Sequence, residues 1–239
     1  MSILIISDLH LSPERPAVTQ AFLDFLKNQA TEAKALYILG DLFEAWIGDD
    51  DPSELAQSVI SALKEFTDQG PKFYFLHGNR DFLINKRFAR ETSCTLLPEH
   101  HVTTLEGHKI LLLHGDTLCI EDEDYQRFRK KARHPVSRWI LSHLPLKKRQ
   151  SIAKNWRAKS MAINSNKSDN IMDVSPSEVE RLMKQYQVNT MIHGHTHRPN
   201  RHQHKNGERL VLGDWHKNGW YIRVTEKAGV ELSSFSIES

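Results

Sequence analysis

Short, unbroken apolar runs separated by amphipathic stretches set the rhythm of the first hundred residues. Ile3-Leu4-Ile5-Ile6, Leu36-Tyr37-Ile38-Leu39 and Lys72–Leu76 show little polar alternation, so each predicts a strand buried on both faces, as in a parallel sheet. Between them, Pro16–Ala30 places Ala17, Ala21, Phe22, Phe25 and Leu26 on one helical face. Ser53 is the expected N-cap of a helix from Glu54 to about Gln69, stopped by Gly70-Pro71. Strands alternating with helices predict βαβ units and a mainly parallel α/β sheet. The pattern changes after Pro98. His101–Leu105, a turn at Glu106-Gly107 and Lys109–Leu113 predict a hairpin. Residues 122–160 read as helical, broken near Pro135 and Pro145, and Ser175-Pro176-Ser177-Glu178 opens a further helix. Thr190–His193 reads as the end of a strand; Arg209–Leu212, Gly219–Val224 and Val230–Phe235 read as antiparallel strands. The expected organisation is one α/β domain, residues 1–239, with a helical insertion at about 122–167.

Chemistry collects where the apolar runs end. Leu36–Leu39 leads into Gly40-Asp41, and glycine lets the chain turn sharply and deliver Asp41 to the carboxyl end of its strand, where open α/β sheets bind ligands. Equivalent positions carry Ser7-Asp8-Leu9-His10, His77-Gly78-Asn79-Arg80-Asp81, His114-Gly115-Asp116 and His193-Gly194-His195-Thr196-His197. Residues two apart on an extended segment reach the same side, so Asp8 with His10, and His195 with His197, each offer a pair of ligands. Mixed carboxylate and imidazole donors suit Mn²⁺, Fe²⁺ or Zn²⁺, and a carboxylate-rich set favours a harder ion such as Mn²⁺. Asp41 is the candidate bridge between two cations, which in two-metal hydrolytic sites lie about 3.5–4 Å apart. A lone aspartate after a strand is often a helix cap and a lone histidine is often packed; the ordered series, with four of its five pieces directly after an apolar run, is what points to a metal centre. His77, His193 and His216 read as supporting or packed residues rather than ligands.

The series Asp8-x-His10, Gly40-Asp41, Gly78-Asn79-Arg80-Asp81, His114-Gly115-Asp116 and Gly194-His195-x-His197 resembles the calcineurin-like metallophosphoesterase superfamily. The resemblance implies a four-layer α/β sandwich with a dinuclear site at the strand ends. It implies one ion held by Asp8, His10, Asp41 and His197, and a second by Asp41, Asn79, His114 and His195. Many members have a histidine where this chain has Arg80, so a proton donor is replaced by a planar cation suited to bidentate phosphate binding. A surface ion pair with Asp81 is the plainer reading of Arg80. Longer signatures, Tyr37–Asp50, His77–Phe82, His114–Cys119 and Ile171–Val174, resemble the UDP-2,3-diacylglucosamine pyrophosphatase family of lipid A biosynthesis. That resemblance implies a Mn²⁺-dependent hydrolase with two Mn²⁺ ions per chain, water attacking the UMP phosphorus to release UMP and 2,3-diacylglucosamine 1-phosphate. It implies catalytic roles for Asp41, Arg80 and His195. It also implies substrate contacts at Asn79, Arg80, Asp122, Ser160, Asn164, Lys167 and His195, with Arg157 and Trp46 as weaker candidates.

Charge sharpens the picture of the insertion. Between Tyr125 and Lys167, thirteen residues are Lys or Arg and none is acidic, which leaves 32 − 13 = 19 basic against 30 acidic residues elsewhere. So basic a block predicts an anionic partner, although a charge run is more commonly a solvated face. Tyr125, Phe128, Trp139, Ile140, Leu141, Leu144, Leu146, Ile152 and Trp156 are interleaved with these cations. They predict either a groove for acyl chains beside an anionic membrane surface or plain packing of the insertion onto the domain. Aromatics among cations also suit single-stranded nucleic acid, which makes a nuclease the competing enzyme class. A non-catalytic scaffold is disfavoured because every ligand type is present. The partners expected are a lipid-linked UDP-sugar and an anionic membrane surface, with no nucleic acid and no protein partner. Cys94 and Cys119 form no CxxC pair, which excludes a disulfide framework and predicts a reducing compartment. No apolar run approaches the ~18–20 residues of a membrane span and no signal peptide is read at the N-terminus. The predicted location is cytoplasmic, peripheral on the inner face of the inner membrane.

Overall fold

The computed structural model describes residues 2–30, 32–164 and 173–238. Strands and helices alternate through β1 (Ser2–Ile6), α1 (Pro16–Asn28), β2 (Ala33–Ile38), α2 (Glu54–Asp68), β3 (Lys72–Phe75), α3 (Lys86–Glu91) and β4 (Cys94–Leu96). A hairpin of β5 (His100–Leu105) and β6 (His108–Leu113) follows. Then come α4 (Glu123–Ala132), α5 (Pro135–His143), α6 (Leu146–Asn164) and α7 (Pro176–Tyr186). The chain finishes with β7 (Thr190–His193), β8 (Asn200–His204), β9 (Gly207–Val211), β10 (Asn218–Thr225) and β11 (Gly229–Ser236). One sheet has the order β11-β10-β1-β2-β3-β4 and the other β5-β6-β7-β9-β8.

The unbroken apolar runs are explained by what lies on either side of each strand. Side chains alternate between faces along a strand. Leu4, Ile6, Leu36, Ile38, Phe73 and Phe75 share a core with Phe22 and Phe25 of α1, Val59 and Leu63 of α2 and Phe88 of α3. Their alternates Ile3, Ile5, Ala35 and Tyr37 pack instead with Ile110, Leu112, Ile192 and Leu210 of the second sheet. The outer face of that sheet, through Leu111, Leu113 and Met191, is covered by Val179, Leu182 and Met183 of α7. The result is helix, sheet, sheet, helix: the four-layer sandwich expected. Burying each such side chain contributes roughly 1.5–3 kcal/mol, which makes the layers a rigid base for the loops at their edge.

Three elements lie outside the sequence expectation. The three-residue β4, the six-residue α3 and β8 carry too little apolar pattern to be read, and β8 is mostly exposed. The closing strands also divide. β9 pairs parallel with β7 and antiparallel with β8, whereas β10 and β11 complete the other sheet beside β1. Ser175 makes no side-chain cap; Pro176 at the first turn and the backbone bond from Ser175 N to Leu118 O fix the start of α7.

The helices α4, α5 and α6 lie between β6 and α7 in the chain, with Pro135 at the first turn of α5 and Pro145 just ahead of α6. Two ion-pair clusters, each built on one buried charge, fasten their ends. Asp116, 1% exposed, accepts from Tyr125 Oη at 2.8 Å, Arg129 Nε at 2.8 Å and an Arg133 guanidinium nitrogen at 2.9 Å. The same Arg133 nitrogen donates to Gly78 O at 2.8 Å. At the other end, buried Arg149 makes a bidentate pair with Asp50 at 2.6 and 2.5 Å and donates to the carbonyls of Ile47 and Leu144. Between these anchors, α5 buries no residue at all.

Candidate metal centre

Each predicted ligand stands just beyond a strand: Asp8 and His10 after β1, Asp41 after β2, Asn79 and Arg80 after β3, His114 after β6, His195 and His197 after β7. The two sheets thus contribute their loops to one edge of the sandwich. Backbone bonds lace those loops together: Asp8 N to Gly40 O at 3.1 Å, His10 N to Asp41 O at 3.0 Å, and Gly194 N to His114 O at 2.8 Å. Five of the seven ligands, Asp8, His10, Asp41, His195 and His197, have positive φ between 50° and 69°. Left-handed backbone at a non-glycine residue costs of order 1–3 kcal/mol and persists where the surroundings over-determine it, typically at functional sites. Glycines let the loops close in. A Cβ on Gly78 would collide with Asp41 Oδ1, and one on Gly194 would collide with Asp8 Oδ2.

The side chains form two overlapping groups of ligand atoms, Asp8, His10 and His197 in one and Asp8, Asp41 and His114 in the other, each within 4.8 Å. His10 Nε2 lies 3.3 Å from His197 Nε2, 3.8 Å from Asp41 Oδ2 and 4.0 Å from Asp8 Oδ1. The other oxygen of Asp41, Oδ1, is 3.7 Å from His114 Nε2. Asp41 therefore presents one oxygen to each side, as a bridging carboxylate must. Asp8 also stands between the groups, whereas the sequence resemblance gives it to one ion only. Asn79 Oδ1 joins the second side, 2.9 Å from His114 Nε2 and 3.0 Å from His195 Nδ1.

The donor set fits divalent cations. Asp8 Oδ1 is buried with no hydrogen-bond partner among the described residues, although Oδ2 accepts from Ser7 Oγ at 2.5 Å and His195 N at 2.9 Å. His114 Nδ1 donates to Leu39 O at 2.9 Å, which turns Nε2 into the ligand nitrogen, facing an amide oxygen. Two carboxylates, four imidazoles and an amide oxygen converging on shared space need positive charge among them. The titration of the protein groups says the same. Burial opposes ionisation of Asp8, but the His197 imidazole, 3.4 Å from Oδ1, holds its carboxyl far below the usual range. Burial likewise opposes protonation of His197, yet Asp8 raises its pKa to about 9. Burial and the charge of His114 lower His195 to about 4, so its imidazole stays neutral.

The remaining predicted residues divide. Arg80 N donates to Asp41 Oδ1 at 2.8 Å, and its guanidinium Nε is buried with no hydrogen-bond partner among the described residues. The alternative ion pair with Asp81 is not formed: the Asp81 carboxylate accepts from Gly78 N and Leu42 N, each at 2.8 Å. Asp122 is buried and caps α4, accepting from Tyr125 N at 3.1 Å. Ser160 is half-buried on α6, one turn beyond Arg157. Lys167 and the side chain of Asn164 lie outside the described residues, as do Ile171 and Met172. Trp46 is a core residue, packed on Phe43 and Phe88 and bonded to Asp49. His77 bonds to Ile84 O, His193 meets buried Arg209 at 3.0 Å and His216 meets Arg15 at 3.3 Å, so none is a ligand. Sequence reasoning passes over Glu44, whose Oε2 lies 3.1 Å from His10 Nδ1, and the anchors Asp116 and Arg149. An acid within the Gly40–Glu44 turn, three residues beyond Asp41, is the available signal for Glu44.

Comparison with known proteins agrees with this geometry. Residues 1–199 match the model of the calcineurin-like phosphoesterases. A protein of Pseudomonas syringae pv. syringae named UDP-2,3-diacylglucosamine hydrolase is 49% identical over 98% of this chain and 95% of its own. One of the same name from Enterobacter sp. (strain 638) is 52% identical over 98% and 99%. Among solved structures, an archaeal phosphodiesterase has a TM-score of 0.51 at 14% identity, over 98% of this chain and 100% of the other. With the family model matched over residues 1–199 and relatives about 50% identical over nearly the whole chain, the chain belongs to the calcineurin-like phosphoesterases and, within them, to the family whose members are named UDP-2,3-diacylglucosamine hydrolase.

Proposed function

We propose that the protein hydrolyses the diphosphate of UDP-2,3-diacylglucosamine in lipid A biosynthesis. Water attacks the UMP phosphorus and the P–O–P link breaks, giving UMP and 2,3-diacylglucosamine 1-phosphate. The relatives' shared name over nearly the full chain supports the substrate. The observation that carries the chemistry is Asp41, one oxygen facing each ligand group, with the unpartnered Arg80 Nε on the adjoining loop. Asp8, His10, Asp41 and His197 hold one Mn²⁺ in this reading, and Asp41, Asn79, His114 and His195 the other. When bound, such ions supply Lewis acidity toward phosphoryl oxygen and lower the pKa of water. The chain's own residues do the rest. Arg80 stabilises the charge that grows on the phosphoryl group, where preorganised donors act most strongly. His195, neutral near pH 7, is held with Nδ1 3.0 Å from Asn79 Oδ1. Asp122, Ser160, Asn164 and Lys167 contact the sugar phosphate, and the apolar side of α4–α6 takes the acyl chains.

The insertion supports a place at a membrane surface. Among described residues the exposed large apolar side chains are Ile120, Phe128, Val136, Trp139 and Ile140, all at or within it. No described helix is long and apolar enough to cross a membrane. In this reading the protein attaches peripherally to the cytoplasmic face of the inner membrane, apolar side chains entering the interface and the exposed cations of the insertion meeting anionic lipid.

The test is release of UMP from UDP-2,3-diacylglucosamine with Mn²⁺ and after chelation. Metal-dependent release supports the reading. Cleavage of a generic phosphodiester without UMP release keeps the metal chemistry and removes the lipid substrate. Asp41→Ala, which removes the carboxylate that faces His10 with one oxygen and His114 with the other, is expected to lower kcat/KM by three orders of magnitude or more, about 4 kcal/mol. Near-wild-type turnover would overturn the bridging role.

A further inference from the structure

Glu44 sits between the metal centre and the insertion. Its side chain is 14% exposed, and its backbone N donates to Leu11 O at 3.0 Å while Leu11 N donates to Leu42 O at 2.9 Å. The loop after β2 is thereby stitched along the loop that carries Asp8 and His10, and the carboxylate has a fixed base. One oxygen, Oε2, lies 3.1 Å from His10 Nδ1, an ion-pair approach in which the N–H is not aligned for a hydrogen bond. The other, Oε1, is 3.3 Å from Nε of Arg157 on α6. His10 turns its opposite nitrogen, Nε2, toward Asp8, Asp41 and His197, so Nδ1 is the rear of a ligand imidazole.

A ligand imidazole needs a partner behind it to set its tautomer and ring plane. His114 uses the carbonyl of Leu39 for this, whereas His10 has a carboxylate, which also strengthens the ring as a donor. Among the described residues, Glu44 is the acidic side chain that joins a ligand imidazole to an arginine of the insertion.

We propose that Glu44 is a positioning residue: it orients His10 for the cation and, through Arg157, registers helix α6 of the insertion on that same ligand. The carboxylate thereby makes placement of α6 depend on the geometry of the metal loop. The role at His10 stands on the ligand geometry alone; only the effect on KM rests on the proposed substrate.

The experiment measures Mn²⁺ binding to the full chain by titration calorimetry, with circular dichroism as the check of folding, and then KM and kcat for UDP-2,3-diacylglucosamine. Glu44→Ala is expected to weaken Mn²⁺ binding by roughly 10–100-fold. Glu44→Gln keeps an oxygen for His10 Nδ1–H and recovers most of that affinity, but it lacks the charge that holds Arg157 and so raises KM. Arg157→Ala raises KM to the same extent with Mn²⁺ affinity kept, and Glu44→Gln combined with Arg157→Ala raises it no further. Wild-type Mn²⁺ affinity in Glu44→Ala would overturn the role at His10. Additive KM effects in the combined variant would overturn the link to α6. Because Mn²⁺ binding requires no lipid, failure of UMP release leaves the metal-binding result intact and is told apart from failure of this proposal.

Discussion

Arg80 brings a permanent positive charge to the rim of the metal centre rather than a titratable proton donor. Its backbone N is fixed on Asp41, and its Nε is buried with no hydrogen-bond partner among the described residues, so that donor is left available. An anion entering the centre meets an N–H that is already out of contact with water. Arg80→Ala is expected to lower kcat by about 10²–10³-fold while Mn²⁺ content is unchanged, and Arg80→Lys to recover little, since an ammonium lacks the planar fork. Steady-state kinetics alongside metal analysis check this; loss of metal in Arg80→Ala would move the residue from catalysis to structure. At this scale the sequence is informative because ligand chemistry is a matter of residue type, and Asp8, His10, Asp41, Asn79, His114, His195 and His197 all stand at strand ends. The left-handed backbone of five of them is not legible, since aspartate and histidine adopt positive φ only occasionally and do not signal it as a turn glycine does. Glu44 is hidden for a related reason: its role depends on where His10 turns its rear nitrogen.

The elements tell the same story through what fixes them. Proline positions and cap residues place the breaks between α4, α5 and α6, but the anchors Asp116 and Arg149 join residues far apart in sequence and leave no local pattern. From sequence, β9 reads as a neighbour of β10 because adjacent apolar runs usually pair; the polar β8, unreadable by alternation, is its antiparallel partner instead. The Arg149–Asp50 pair gives this scale its test. The hydrogen bond from Arg149 holds Asp50 below the usual carboxylate range, so the folded state favours the ionised form. A depressed folded pKa contributes stability above the unfolded value, about 3.8, and loses it as pH falls through the lower folded one. Urea midpoints of Asp50→Asn are therefore expected below wild type by a constant amount from about pH 8 to about pH 5, the gap narrowing at more acid pH. Arg149→Ala should cost more, about 1–3 kcal/mol, because the Ile47 and Leu144 carbonyls lose their donor as well. A gap that widens on acidification would mean that Asp50 is not the anchor's charge.

Across the whole molecule, charge and apolar surface are both unevenly spread. The stretch from Tyr125 to Lys167 carries thirteen cations against no acid, while the remainder has 19 basic and 30 acidic residues. The same stretch holds α5, which buries nothing and exposes Val136 at 57%, Trp139 at 62% and Ile140 at 47%. A solvated helix needs no such side chains, whereas a helix lying in a bilayer interface needs both the apolar residues and the cations. Each cation near an anionic surface contributes about 1 kcal/mol at moderate salt, attenuated over a screening length of about 8–10 Å. The acidic remainder is repelled by the same surface, so the protein would dock with the insertion foremost. Vesicles of neutral phosphatidylcholine alone are therefore expected to bind weakly, and vesicles containing anionic phosphatidylglycerol to bind strongly at low salt and weakly at high salt. Trp139→Glu, at an exposed site distant in sequence from every proposed ligand, should reduce vesicle binding several-fold at fixed salt with Mn²⁺ content unchanged. Co-sedimentation measures both. Binding indifferent to anionic lipid, or unaltered in Trp139→Glu, would mean that α5 faces water and that the cations serve the substrate alone.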